Sequence, residues 1–114
     1  MMSRLEKNVV KNIMNTLDKH YPGFYFKVHG GPYQVSGIPD IIGLHRGQFI
    51  GIEVKRPKGS HGPSKKQLQI ITKINAAGGI AFVADNPEDV LKELDGTFND
   101  VTRNKEIRSK RTKR

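Results

Sequence analysis

Two short apolar segments separated by Arg46-Gly47 constrain this chain more than any other feature. The first reads Asp40-Ile41-Ile42-Gly43-Leu44 and the second Phe49-Ile50-Gly51-Ile52-Glu53-Val54-Lys55. Runs of this length, rich in Ile and Val and bounded by turn residues, read as strands. If Arg46-Gly47 is a two-residue loop, His45 faces Gln48 and every pair farther out follows from that one. Asp40 then stands directly across from Glu53, with Cβ atoms about 5 Å apart. Side chains alternate along a strand, so Glu53 and Lys55 share one face while Ile52 and Val54 point to the other. Two carboxylates in that position repel each other unless a cation lies between them.

Two acids to hold a divalent metal, with an ammonium beside it, make a hydrolytic site for phosphodiesters. In a chain that is 27% charged, a Glu-x-Lys triplet also arises by chance on an ordinary exposed strand. The surroundings favour the chemical reading, because strongly apolar strands are an expensive place for unpaired charge. Asp40 and Glu53 are the first-choice metal ligands. Hard carboxylate oxygens, with no Cys and no spaced His to join them, favour Mg²⁺ or Mn²⁺ over zinc. Such an ion polarises the scissile phosphate and acidifies a bound water. Lys55 is placed to position or activate that water and to offset transition-state charge; the alternative is a lysine reaching into solvent from the strand end.

The remaining chain supplies a frame for this hairpin. Ser3-x-x-Glu6 is a capping-box signature, and Leu5, Val9, Ile13 and Leu17 recur at helical spacing up to about His20. Tyr21-Pro22-Gly23 ends that helix, and Phe24 to His29 reads as a strand before a Gly30-Gly31-Pro32 turn. After the hairpin, residues Arg56 to Pro63 form a loop, and a second helix runs from Ser64 as N-cap to Ala77, stopped by Gly78-Gly79. Ile80 to Asp85 is a buried strand, and Asn86-Pro87 opens a third helix that ends near Leu94, closed by Gly96. The order is αβββαβα. The second helix can act as a crossover that makes the strands on either side of it parallel.

At 114 residues the chain is long enough for one core and not for two. Residues 1–96 read as that domain and 97–114 as a basic, flexible tail. Net charge is +9, of which the segment Arg103 to Arg114 carries +6. A segment of this kind either binds phosphates in a salt-sensitive way or serves as a solubilising end. Lys55, Arg56, Lys58, Lys65 and Lys66 form a second basic cluster beside the proposed site. The absence of cysteine excludes a disulfide framework and a thiolate zinc site. No apolar run approaches a membrane span and no signal-peptide core is visible, so a soluble, cytoplasmic protein without membrane contact is expected. No Ser-His-Asp set or nucleotide-binding fingerprint is present.

The ordered set Gly37-x-Pro39-Asp40, Glu53-Val54-Lys55 and Ser64-x-x-Gln67 resembles the PD-(D/E)XK nuclease superfamily. It is most similar to the VRR-NUC (virus-type replication-repair nuclease) branch, over about Glu6 to Asp85. The resemblance implies an α/β, restriction-endonuclease-like core with a mixed central sheet flanked by helices. It also implies a Mg²⁺- or Mn²⁺-dependent deoxyribonuclease in which the Val54 carbonyl joins Asp40 and Glu53 on the metal. A Glu on the first helix reaches the metal site in this family; here the matching residue is Glu6, for which the Ser3 capping box is the alternative explanation. Gln67 matches the family motif and is a candidate to bond the nucleophile, Lys55 or a DNA phosphate, or else is a solvated helix residue. Arg56, Lys58, Lys65 and Lys66 are the DNA-binding candidates. Small stand-alone members resemble junction-resolving enzymes, so the expected partner is branched DNA, with four-way (Holliday) junctions cut by a homodimer during replication, recombination or repair. The setting implied is a bacterial or phage-infected cell. The competing readings are a flap- or single-strand-directed repair nuclease, and a nucleic-acid-binding module that does not cut.

Overall fold

The computed structural model describes residues 4–29, 35–55 and 62–99. The elements are α1 (Arg4–His20), β1 (Phe24–Lys27), β2 (Ile41–His45), β3 (Gln48–Val54), α2 (Lys65–Ala76), β4 (Ile80–Ala84) and α3 (Pro87–Phe98). Their order is the expected αβββαβα.

The hairpin forms in the expected register, with His45 paired to Gln48 and Ile41 to Ile52. Arg46 (φ 49) and Gly47 (φ 78) are both left-handed, the backbone of a type I′ turn whose twist matches that of the flanking strands. β1 joins β2 antiparallel, and β4 joins β3 in parallel, with Ile50 beside Ile80. The result is one four-stranded mixed sheet in the order β1-β2-β3-β4. α2 is the crossover between its parallel strands.

The alternation along β2 and β3 decides what each face buries. Ile41, Ile50, Ile52 and Val54 lie in one cluster with Val10, Ile13 and Leu17 of α1 and Val90 and Leu94 of α3. Truncating any of the fully buried isoleucines Ile13, Ile41, Ile50 and Ile52 to Ala costs about 2–5 kcal/mol. α2 packs on β3 and β4 from the other face, where a Cβ on Gly51 would lie 3.6 Å from Ile74 Cδ1. None of its residues is fully buried, so that face is only partly covered. No helix among the described residues is long and apolar enough to cross a membrane.

Several boundaries differ from the sequence expectation: β2 and β3 run Ile41–His45 and Gln48–Val54, so that Asp40 and Lys55 lie just outside them, and α2 ends at Ala76. α3 passes through Gly96 and ends at Phe98. Phe98 stacks on Tyr21 and meets His45 edge-on, each at 5.3 Å between ring centroids, and the Tyr21 hydroxyl donates to Asp95. Those contacts outweigh the roughly 1 kcal/mol that a helical Gly costs. β1 ends at Lys27 rather than His29, although the Val28 N–H still donates to the Asp40 carbonyl at 2.8 Å. β4 ends at Ala84, one residue short of Asp85. The Ser3 cap, the Gly30-Gly31-Pro32 turn and residues 100–114 lie outside the described residues.

Candidate active site

Strand parity explains how Asp40 comes to face the Glu53-Val54-Lys55 segment. Ile41 and Ile52 are paired across β2 and β3, so one more step places Asp40 across from Glu53 and Pro39 across from Val54. The Lys55 N–H donates to the Ala84 carbonyl at 2.8 Å, which shows that the backbone of Lys55, and of Glu53 by parity, faces β4. The backbone of Val54 therefore faces the β2 side. Pro39 has no N–H to send to the Val54 carbonyl. In place of the Pro39 carbonyl, Asp40 Oδ2 accepts the Val54 N–H at 2.8 Å. A proline directly before the acid thus ends the ladder and leaves the Val54 carbonyl on the same side as the Asp40 carboxylate.

Glu53 is held from the other direction. It is 4% exposed and lies on the α2 side of β3. Its Oε2 accepts from Gln67 Nε2 at 2.7 Å. Gln67 is itself held by the start of α2. The Ser64 N–H donates to Gln67 Oε1 at 2.7 Å, and the Gln67 N–H donates to Ser64 Oγ at 3.1 Å, a complete capping box. With Oε1 committed to an N–H donor, only the amide NH₂ is left to face Glu53, and a carboxylate needs that donor. One side chain closes the helix end and orients the buried acid.

Gly37 makes the approach of these segments possible. Its φ is +88, and an added Cβ would lie 2.9 Å from Lys66 Cγ and 3.0 Å from the Lys66 carbonyl oxygen. The residue thus combines a positive φ with a close backbone approach. Gly51 plays a smaller part of the same kind, since a Cβ there would lie 3.2 Å from Pro39 Cγ.

The structure therefore brings together Asp40, Glu53, Val54 and Gln67. Lys55 follows directly at the strand end and is exposed, as are Lys65 and Lys66 in the first turn of α2. Glu6 lies in the first turn of α1, and its side chain is outside the described residues, as are Arg56 and Lys58 entirely. Among the described residues no three His, Cys, Asp or Glu side chains gather into a metal-binding group. The described donor set is two carboxylates and the Val54 carbonyl. All three are hard oxygens, and Mg²⁺ is commonly held by one or two carboxylates while keeping several waters. The set fits Mg²⁺ or Mn²⁺ and is unsuited to softer metals.

The sequence set Gln67 against the nucleophile, Lys55, a DNA phosphate or solvent; the structure instead gives its partner as Glu53. Ser64-x-x-Gln67 has the capping-box spacing, which ties the Gln67 side chain to the helix end, but the spacing does not name the partner of its amide. The role of Pro39 as a missing donor opposite Val54 was present in the pairing that sets Asp40 against Glu53.

A solved structure described as "VRR_NUC domain" superposes with a TM-score of 0.65 and 23% sequence identity, covering 82% of this chain and 97% of that one. No protein-family model and no curated protein matches the sequence. The mixed four-stranded sheet flanked by helices is the fold of a VRR_NUC domain.

Proposed function

We propose that this chain is a nuclease of the VRR-NUC family: a divalent-metal-dependent endonuclease that hydrolyses phosphodiesters in branched DNA, four-way junctions foremost, as a homodimer. The observation that carries the reading is the opposed pair Asp40 and Glu53. Each is fixed by its own hydrogen bond, from Val54 N–H and from Gln67 Nε2, in a fold shared with a VRR_NUC domain.

In this mechanism Asp40, Glu53 and the Val54 carbonyl would hold Mg²⁺ or Mn²⁺. The ion, when bound, supplies Lewis-acid polarisation of the phosphate and an acidified water. Lys55 orients the attacking water and offsets the negative charge that grows on the phosphate oxygens. Water oxygen bonds to phosphorus, the bond to the leaving oxygen breaks, and a proton passes to that oxygen. Gln67 fixes the orientation of the Glu53 carboxylate, and Glu6, in the first turn of α1, is the candidate third acid. Lys65 and Lys66 at the positive end of α2, with Arg56 and Lys58, hold flanking phosphates.

A module that only binds DNA has no use for two closely opposed acids beside phosphate, which repel its ligand. Paired cuts across a junction need two such sites related by a two-fold axis, and one chain provides one. The proposed activity selects by DNA shape rather than by sequence, in the cytoplasm of a bacterial or phage-infected cell. The test is a panel of labelled four-way junctions, flaps, splayed arms and linear duplexes with Mg²⁺ or Mn²⁺. Symmetric cutting of the junction is expected. Preference for flaps or single strands would overturn the junction reading, and metal-dependent binding with no cutting of any substrate would overturn the nuclease reading.

A further inference from the structure

α1 and α3 bury one face of the sheet, whereas α2 packs on the other over β3 and β4. By pairing and alternation, Phe24 and Phe26 of β1, Ile42 and Leu44 of β2, and Phe49 of β3 share that second face with Glu53. They stand in rows. Phe26, Ile42 and Gly51 form one row, and Phe24, Leu44 and Phe49 form the next. The first row lies one two-residue step from Glu53, about 7 Å, and the second about 13 Å. Phe24 is 65% exposed, Leu44 47%, Phe26 44% and Phe49 36%, and the two β1 rings are 5.8 Å apart. The candidate site therefore opens onto an aromatic platform, and a gathered apolar patch of this kind marks a contact surface.

We propose that this platform stacks unpaired nucleobases of the DNA strand beside the scissile phosphate. The place beside the cut rests on the nuclease reading; the stacking itself does not. Chemistry, size and charge favour bases over a protein partner. Every base has a flat π face, and aromatic rings on an open sheet take two or three of them with little regard to sequence. The exposed parts of the four side chains amount to roughly 400 Å², half of what one partner gives to a specific protein contact, whereas two rows suit one base each. The border of the platform is basic. Arg46 is exposed in the hairpin turn, two residues beyond Leu44. Phe49 and Ile74 both lie against Gly79, which brings the last turn of α2 and its exposed Lys73 to the same edge. β1, β2 and β3 contain a single acid, Glu53. α3 also ends at the hairpin end, where Phe98 meets His45, and the chain beyond it carries +6 between Arg103 and Arg114. Bases on the rings thus leave their phosphates facing cations. The cut strand must then be unpaired on one side of the scissile bond, a condition that a branch point supplies and an uninterrupted duplex does not.

The test uses the full chain in EDTA, where cutting is suppressed, and a duplex with a short single-stranded tail carrying the fluorescent adenine analogue 2-aminopurine. Binding should change the fluorescence of the tail as its bases stack on the rings. Replacing tail bases by abasic residues, with every phosphate kept, should weaken binding at least about fivefold per base. Phe24→Leu with Phe26→Leu keeps the apolar bulk and should lose both the fluorescence change and the preference for intact over abasic tails, while the salt dependence stays as in wild type. If the double variant fails to fold, Phe24→Leu alone, at an exposed position, carries the same test with a partial loss. Equal affinity for intact and abasic tails, or a fluorescence change that persists in the variants, would overturn the proposal. So would variants that alter the sedimenting mass yet bind tails as wild type does, since a second copy of the chain would then occupy the face. Metal-dependent cutting with no response to abasic residues leaves the nuclease reading standing while sinking this one; base-dependent binding by a chain that never cuts DNA does the reverse.

Discussion

The doubly held amide of Gln67 allows its two roles to be separated. Gln67→Met keeps the bulk of the side chain but loses the bond to Glu53, at 2.7 Å, and the reach back to the Ser64 N–H, also 2.7 Å. A hydrogen bond to a charged group contributes about 1.5–3 kcal/mol, and half of a capping box about 0.5–1 kcal/mol. The variant should therefore be destabilised by roughly 2–4 kcal/mol without metal. Its single-turnover cleavage should fall about 10- to 100-fold, because a buried Glu53 that is no longer oriented loses one to two factors of 1.4 kcal/mol. Gln67→Glu keeps the oxygen that caps the helix but turns a second carboxylate oxygen toward Glu53. Two carboxylate charges about 4 Å apart repel by about 4 kcal/mol at an effective dielectric of 20. Gln67→Glu should thus unfold more easily than wild type in EDTA and recover most of the difference with Mn²⁺, while Gln67→Met recovers little. Urea melts with and without Mn²⁺, alongside cleavage rates, make the comparison. A Gln67→Glu protein with wild-type stability in EDTA and a wild-type rate would refute the positioning role.

Other consequences are simpler. Gly37→Ala forces a Cβ onto a φ of +88 and to within 2.9 Å of Lys66 Cγ. It should cost about 2 kcal/mol or more in urea melts and slow cleavage by moving Asp40; a melt unchanged from wild type would show that the 37–40 segment shifts freely. Removing residues 103–114 should lower the slope of log binding constant against log salt by about 0.9 for each phosphate no longer neutralised, with cutting at low salt retained; an unchanged slope would show that the segment does not touch DNA. Burial, aided by the Asp18 carboxylate, pushes the Tyr25 hydroxyl up to about 12 from its ordinary 10.0. The unfolded chain gives up that proton above pH 10 while the folded chain keeps it, so this stability is intact below pH 10 and lost as pH rises toward 12. Tyr25→Phe should lose less stability than wild type between about pH 9 and pH 11, and an equal loss would place the alkaline sensitivity elsewhere.

The hairpin was legible because one two-residue turn and strict alternation leave a single register that buries Ile41, Ile50 and Ile52 together. Asp40 and Glu53 follow from that register without further information. The end of α3 was not legible: Gly96 signals a stop, and only the packing of Phe98 on Tyr21 and His45 overrides it. The target of Gln67 depends on where the crossover helix lands on β3, a tertiary distance that local spacing does not encode. The apolar character of Phe24 and Phe26 was plain in the sequence, but alternation cannot tell whether a helix covers their face. The assignments to Glu6, Arg56 and Lys58 rest on pattern alone, because those side chains lie outside the described residues.

The central claim is that Asp40 and Glu53 hold a catalytic metal on this strand pair. It is tested most directly by single-turnover cleavage of a labelled four-way junction with Mn²⁺, comparing wild type, Asp40→Ala and Glu53→Ala at matched DNA occupancy. Wild type should cut with Mn²⁺ or Mg²⁺ and stop on chelation, and each variant should bind the junction yet cut at least about a thousandfold more slowly, the several kcal/mol that such an ion supplies. Cutting by Glu53→Ala at a near wild-type rate, or wild-type cutting that persists in chelator, would contradict the account.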